Sequence, residues 1–467
     1  MSLTPQTYWA EHAWIDHEVR PAVLVAADAD GRIDTVTPGV TEPPPGAVPL
    51  HGLTLPGLAN AHSHAFHRAL RGTSQAAPPT GPSPSEGGAA GSGSDTTGSF
   101  WTWRETMYAV ADRLSPDSYH DLARAVYAEM ALAGITAVGE FHYLHHAPGG
   151  TRYQDPNAMG DALAAAATAA GVRLTLLDTC YLSAGFGAPP GPVQTRFSDG
   201  DALAWARRAD ALDPGGETVV GAAVHSVRAV PADQLAVVGD WARGRGAPLH
   251  VHLSEQPAEN ADCLTHHGRT PTRLLADHGL LGPATTAVHA THLTAHDIDL
   301  LGSTATGICM CPTTERDLAD GIGPAVALRD AGSPISLGSD SHAVIDLLEE
   351  ARAVELDERL RTGRRGHWTA HELLTAATRH GHAALGRPDG GRIAPGAPCD
   401  LATVALDSVR TAGTRPRLAA ESVVFAGTAA DVRHTVVGGR HIVRDGLHQL
   451  VPRVPEALTA AVEALRG

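Results

Sequence analysis

The chain has 467 residues, 43% of them apolar, enough to bury a large core and to exclude disorder as its overall state. A formal charge of −16 argues against nucleic acid as a partner, because binding phosphates takes a basic surface. There is no run of about eighteen apolar residues, the stretch MSLTPQTYWAEHAWIDHEVR lacks the basic-then-apolar order of a signal peptide, and the five cysteines are scattered. The expectation is a cytoplasmic protein with no membrane partner and no disulfide framework.

In chain order, residues 1–55 carry short β-like runs such as AWIDHEVRPAVLVAADADGRIDTV, broken by an Asp-Gly turn and then by TEPPPGAVPL. From 56 to 393 the texture changes to apolar strand, polar tip, helix. The strand candidates are GLANAHSHA, ITAVGEFHY, RLTLLDTCYL, TVVGAAVHSV, PLHVHLSE, TAVHATHL, TGICMCP and PISLGSDSH. Helical patterning fills most intervals, as in SYHDLARAVYAEMALAG, DALAAAATAAG and PADQLAVVGDWARGRG. This alternation implies parallel strands, and eight units predict an α/β fold, a closed (β/α)8 TIM-like barrel. No glycine-rich dinucleotide fingerprint follows the first strand, which argues against a doubly wound sheet.

Within the barrel segment, residues 74–99 (SQAAPPTGPSPSEGGAAGSGSDTTGS) are too rich in Pro, Gly and Ser to pack a core. They read as a flexible surface insertion, and their place after the first strand leaves a lid role open. Residues 394–450 return to β texture in CDLATVALD, SVVFAG and VRHTVVGGRHIVRDG, so 1–55 plus 394–450 are expected to join in one small sheet domain. Residues 451–467 read as a C-terminal helix.

In a barrel of this kind the reactive groups sit at the C-terminal ends of the strands. The tips supply His62 and His64 from the first strand, His252 and Glu255 from the fifth, His289 from the sixth and Asp340 from the eighth. Period-2 alternation points His62 and His64 to the same side, so both imidazoles reach one ion. Three imidazoles and a carboxylate with an open position suit a catalytic divalent metal, most naturally Zn2+, although iron and manganese accept similar ligands. Two-metal versions of such sites often use a carboxylated lysine as a bridge. Every basic residue of this chain is arginine, so a single ion is expected.

The pattern leaves alternatives open. His250 competes with His252, and His292 with His289. Glu255 also reads as a surface charge opening a helix, and Asp340 as a helix N-cap. CMC at residues 309–311 is better explained as a buried strand than as thiolate ligands, and the extra histidines of FHYLHH read as loop residues.

The order H-x-H, HLSE, VHATHLT and GSDSH resembles the amidohydrolase superfamily, in particular its mononuclear deaminase branch. Within it, FWTWRETMY (100–108), HSHAFHRALRG and HSVRAV (225–230) resemble the N-formimino-L-glutamate iminohydrolase, or formimidoylglutamate deiminase, family. The resemblance implies a β-sandwich from the terminal segments, a homodimer, and His62, His64, His252 and Asp340 as metal ligands. The implied reaction is hydrolysis of the formimino group to N-formyl-L-glutamate and ammonia, a step in histidine degradation. Asp340 would accept the proton of the attacking water, His289 would orient the attacking oxygen, and Glu255 would carry a proton to the departing nitrogen.

The implied substrate is a small dicarboxylate, which arginine recognises well through bidentate pairs. By resemblance, His67, Arg104, Tyr143, His225 and Arg228 contact its glutamate portion, with His67 standing where relatives are expected to carry glutamine. The rival reading is a deaminase acting on a purine, a pterin or a nucleoside. Such a substrate favours an aromatic-lined pocket, and the chain is only 4% aromatic. A non-catalytic metal-binding barrel would have no use for Glu255.

Overall fold

The computed structural model describes residues 6–73, 75 and 100–466; apart from residue 75, the insertion at 74–99 lies outside the described residues. Eight strands, β5 (Leu58–Ser63), β6 (Ile135–His142), β7 (Arg173–Cys180), β8 (Val219–Val224), β9 (Leu249–Leu253), β10 (Thr285–His289), β11 (Gly307–Met310) and β12 (Ile335–Leu337), follow four earlier strands, β1–β4, given below. Each of the eight pairs in parallel with its sequence neighbour. Helices separate most of them and cover their outer face, so the strands are buried almost throughout, as parallel strands are.

The barrel closes between its first and last strands. Ser63 bridges Asp340 in parallel, the Asp340 N–H donates to the His62 carbonyl at 3.0 Å, and the His64 N–H donates to the Asp340 carbonyl at 3.3 Å. Gly338 makes this approach possible, because a Cβ there would lie 2.7 Å from the His62 Cβ. Closure therefore sets the eighth-strand aspartate directly beside the first-strand histidine pair.

The two ends of the chain build a second sheet from β1 (Gln6–Ile15), β2 (Glu18–Ala27), β3 (Ile33–Thr37), β4 (Val48–Pro56), β13 (Leu401–Val404), β14 (Val432–Val437), β15 (Arg440–Arg444) and β16 (Leu447–His448). Its strand order is β16-β15-β14-β13-β4-β1-β2-β3, so β4 and β13 join the two halves. Tyr8, Val23, Val25, Ile33, Leu50 and Leu401 form its own apolar cluster, making a sandwich-like domain beside the barrel. Strand β4 continues through Gly57 into β5, which ties this domain to the strand carrying the histidine pair.

One terminal segment differs from the sequence expectation. SVVFAG belongs to a helix, Ala419–Ala426, and not to a strand. Ala419, Ala420, Val423 and Val424 are buried on one helical face, and the alanines ahead of the short apolar run favour that state. The last helix, Val454–Ala464, packs on the helix Pro116–Leu132, whose start is fixed by a Ser115 capping box. No described helix is long and apolar enough to cross a membrane.

Candidate active site

His62, His64, His252 and Asp340 bring one ligand atom each to within 4.8 Å of one another, all four residues buried. The Asp340 Oδ1 lies 3.3 Å from the His62 Nε2 and 3.4 Å from the His64 Nε2, and the His62 and His252 Nε2 atoms are 3.1 Å apart. Tetrahedral bonds of about 2.05 Å put neighbouring ligand atoms about 3.3 Å apart, so these spacings fit one zinc-sized ion. His64 and His252 each commit Nδ1 to a backbone carbonyl, Phe141 and His225 respectively, both at 2.9 Å. That arrangement fixes the tautomer and aims the Nε2 lone pair at the cluster. The His62 Nδ1 is buried without a partner among the described residues.

Charge states suit the same role. Burial lowers the pKa of all three histidines, that of His64 to about 3, so they stay neutral as ligands must. Burial alone would raise Asp340, but the hydrogen bond and charge of His62, with His289 and His64, hold it well below the ordinary carboxylate range. His289 stands next to the cluster, its Nε2 3.8 Å from the Asp340 Oδ2 and 4.0 Å from the Glu255 Oε1. Its Nδ1 faces the Glu315 Oε1 at 3.3 Å. Burial opposes the imidazolium, yet Glu255, Glu315 and Asp340 together raise His289 well above its usual pKa. Glu255 is itself raised by burial, against the pull of His289 and Arg228.

A cavity opens on this cluster. It is lined by His64, His67, Arg104, Tyr143, His225, Arg228, His252, Glu255, His289 and Asp340, so the structure brings every residue singled out from the sequence to this one place, with His62 behind the wall. The Arg228 Nε donates to the Glu259 Oε2 at 3.0 Å, and among the described residues its two terminal nitrogens have no hydrogen-bond partner. The other Glu259 oxygen accepts the Ser254 N–H at 3.2 Å, so one buried carboxylate ties the arginine to the end of β9. The His67 Nε2 sits 3.2 Å from the Tyr143 hydroxyl. The Arg104 guanidinium lies 5.3 Å from the centroid of the Tyr108 ring.

The remaining lining was not legible from composition. Trp103, Tyr108, Tyr143, Tyr181 and Phe197 all face the cavity, so the scarce aromatics of the chain are concentrated here. The argument from a low aromatic content against a flat, stacked substrate therefore fails at the site itself. Glu259, Glu315 and Gln194, which bonds Tyr108 and Tyr181, carry no motif that would have marked them.

The competing residues part clearly. The His250 Nε2 bonds the Ala384 carbonyl at 2.8 Å and the His292 Nε2 bonds the Asp320 carbonyl at 2.8 Å, both outside the ligand cluster. Asp340 caps no helix; the following helix, Leu347–Thr362, is capped by Asp346. Of the histidines of FHYLHH, His145 and His146 lie in the loop after β6, as expected, but buried. His142 lies on β6, and His142, His145 and Asp178 form a second buried group with ligand atoms within 4.8 Å. Its carboxylate is already taken, by Arg208 at 2.7 and 2.8 Å and by the Trp205 indole at 2.7 Å, so this is an ion-pair network. In the third group, His289, Cys311 and Glu315, burial pushes the thiol well above its usual pKa and Glu315 accepts the Cys311 N–H at 2.8 Å.

Comparison with known proteins agrees with this geometry. The model of the "Amidohydrolase family" matches residues 53–442. Formimidoylglutamate deiminase of Pseudomonas aeruginosa is 36% identical over 452 residues, covering 94% of this chain and 95% of that protein. The 8-oxoguanine deaminase of the same organism is 32% identical over 406 residues, 84% of this chain and 83% of its own. The crystal structure of an amidohydrolase from Brucella melitensis superposes with a TM-score of 0.88 at 32% identity, over 99% of this chain and 100% of that one. Barrel, ligand cluster and matches together show that the chain belongs to the amidohydrolase family, as a hydrolase of its deaminase kind.

Proposed function

We propose that this protein hydrolyses N-formimino-L-glutamate to N-formyl-L-glutamate and ammonia, a step of histidine degradation, using one divalent ion, most naturally Zn2+. The observation that carries the reading is the pairing, in one cavity, of a four-residue ligand cluster with Arg104 and Arg228, the latter with both terminal nitrogens unbonded among the described residues. An arginine fork held this way matches a carboxylate in two parallel hydrogen bonds.

His62, His64, His252 and Asp340 would hold the ion, which supplies a water-derived nucleophile near neutral pH. Asp340, kept ionised by His62, is placed to accept the proton of the attacking water. His289, whose Nε2 lies 3.8 Å from the Asp340 Oδ2, would orient the attacking oxygen. Glu255, raised above its ordinary pKa by burial, is placed to pass a proton to the departing nitrogen, which leaves as ammonia. Arg104 and Arg228, with His67, Tyr143 and His225, bind the glutamate portion and keep the formimino carbon over the cluster.

A second reading, a purine deaminase, draws support from the five aromatic residues in the wall and the match to 8-oxoguanine deaminase. It gives no acceptor to the two terminal nitrogens of Arg228, which Glu259 holds through Nε alone, and leaving buried donors unsatisfied is costly. Arg228→Lys separates the two. Lysine keeps the charge but cannot both bond Glu259 and fork a carboxylate, so kcat/KM on N-formimino-L-glutamate should fall about thirtyfold or more. Unchanged kcat/KM in steady-state ammonia assays would count against a dicarboxylate substrate.

A further inference from the structure

Gln194 lies just behind the cavity wall, in the short turn Gln194–Arg196, and is 3% exposed. Its Oε1 accepts the Gly191 N–H at 2.7 Å, which settles which end of the amide is which. The Nε2 therefore points both of its N–H groups at phenol oxygens, 2.9 Å to Tyr108 and 2.6 Å to Tyr181. A hydroxyl oxygen that accepts in this way still has its own proton to place. Among the described residues neither hydroxyl donates to a carbonyl or a carboxylate, and both tyrosines line the cavity. The two hydroxyls interact with each other, so one proton can pass between them and at least one is left for the cavity. Burial holds Tyr181 well above its ordinary pKa, so it remains a neutral donor.

We propose that Gln194 is a specificity-setting positioning residue, which turns the Tyr108 and Tyr181 hydroxyls into proton donors for a carboxylate of the substrate. The inference rests on the dicarboxylate reading above and adds two contact groups to it. With Arg104 and Arg228 the tyrosines make a wall that only donates, and an anion is what such a wall selects. The polarity is set by a residue that does not itself face the cavity.

Gln194→Glu reverses that polarity with little change of shape. One oxygen keeps the Gly191 N–H, and the other now accepts the tyrosine protons and withdraws them from the cavity. The KM for N-formimino-L-glutamate should rise at least about tenfold, the scale of losing a hydrogen bond to a charged group, while kcat stays within about threefold. A Tyr108→Phe/Tyr181→Phe double variant, which adds no buried charge, should raise KM in the same direction and carries the test if the glutamate variant does not fold. KM within about twofold of wild type in a folded Gln194→Glu protein, or in the double variant, overturns the proposal alone. A wild type that neither turns over N-formimino-L-glutamate nor binds N-formyl-L-glutamate in calorimetry overturns the substrate reading, and this proposal with it.

Discussion

Replacing Glu255 with Gln removes the proposed proton carrier of the cavity and leaves untouched the four groups whose atoms converge on the candidate ion site. Turnover should fall by about two to four orders of magnitude, the usual share of a positioned acid or base, with metal content by elemental analysis unchanged. Unchanged turnover would remove Glu255 from the mechanism. At this scale the sequence was informative where chemistry recurs at fixed spacing. His62 and His64 on one strand face, and Glu255 three residues beyond His252, could be found by alternation and by strand counting. The choice of His252 over His250 could not, because the two lie two residues apart on β9 and so share a face, and only the closed barrel shows that His252 reaches the His62 Nε2 while His250 bonds the Ala384 carbonyl. Glu259 and Gln194 were missed for a related reason: each acts through a partner more than thirty residues away, Arg228 and Tyr108 among them, and no local pattern encodes such a pairing.

The strand ends carry a conformational cost that fits their role. Ser254, His289, Ala290 and Asp340 all have positive φ, between 39° and 67°, at the tips of β9, β10 and β12. Left-handed backbone at non-glycine residues costs about 1–3 kcal/mol each and gathers where side chains must be aimed. Support comes from elements such as the helix Ala202–Asp210, whose Arg208 holds Asp178 on β7 and Asp199 together at 2.7–3.1 Å. Removing that arginine as Arg208→Leu should cost about 3–5 kcal/mol at pH 7, because it strands two buried carboxylates.

Burial would raise Asp178, but Arg208 and His145 hold it at about 2, below its unfolded value. Its stabilisation is therefore complete above about pH 4 and is lost as the pH falls toward 2. The difference between wild type and variant in thermal melts should narrow over that acid range; a constant difference would contradict the role given to this pair. Elements were the most legible level, since eight apolar runs with polar tips mark eight strands. The exception, SVVFAG, is a short apolar run of the kind that periodicity alone cannot assign, and its neighbours decided for helix.

At the scale of the whole molecule, the ligands come from strands that are far apart in sequence and meet only when β12 closes on β5. An ion bound there holds the first, fifth and eighth strands together, so it binds the folded chain and not the unfolded one. Chelation should lower the melting temperature, and restoring Zn2+ at about a thousand times its dissociation constant should return about 4 kcal/mol. Melts that do not respond to the metal would mean that the cluster does not bind it. The terminal sheet was legible as β texture at both ends, but the pairing of β4 with β13 across the whole barrel was not, because strand pairing over such a distance leaves no trace in local composition.

The most direct test of the account is ammonia release by the zinc-loaded protein, with N-formimino-L-glutamate and 8-oxoguanine offered in parallel. The account predicts rapid turnover of the glutamate compound, with N-formyl-L-glutamate as the second product, and little or none of the purine. Rapid turnover of 8-oxoguanine with none of N-formimino-L-glutamate would contradict it, and would assign the aromatic wall, not the arginines, to substrate choice.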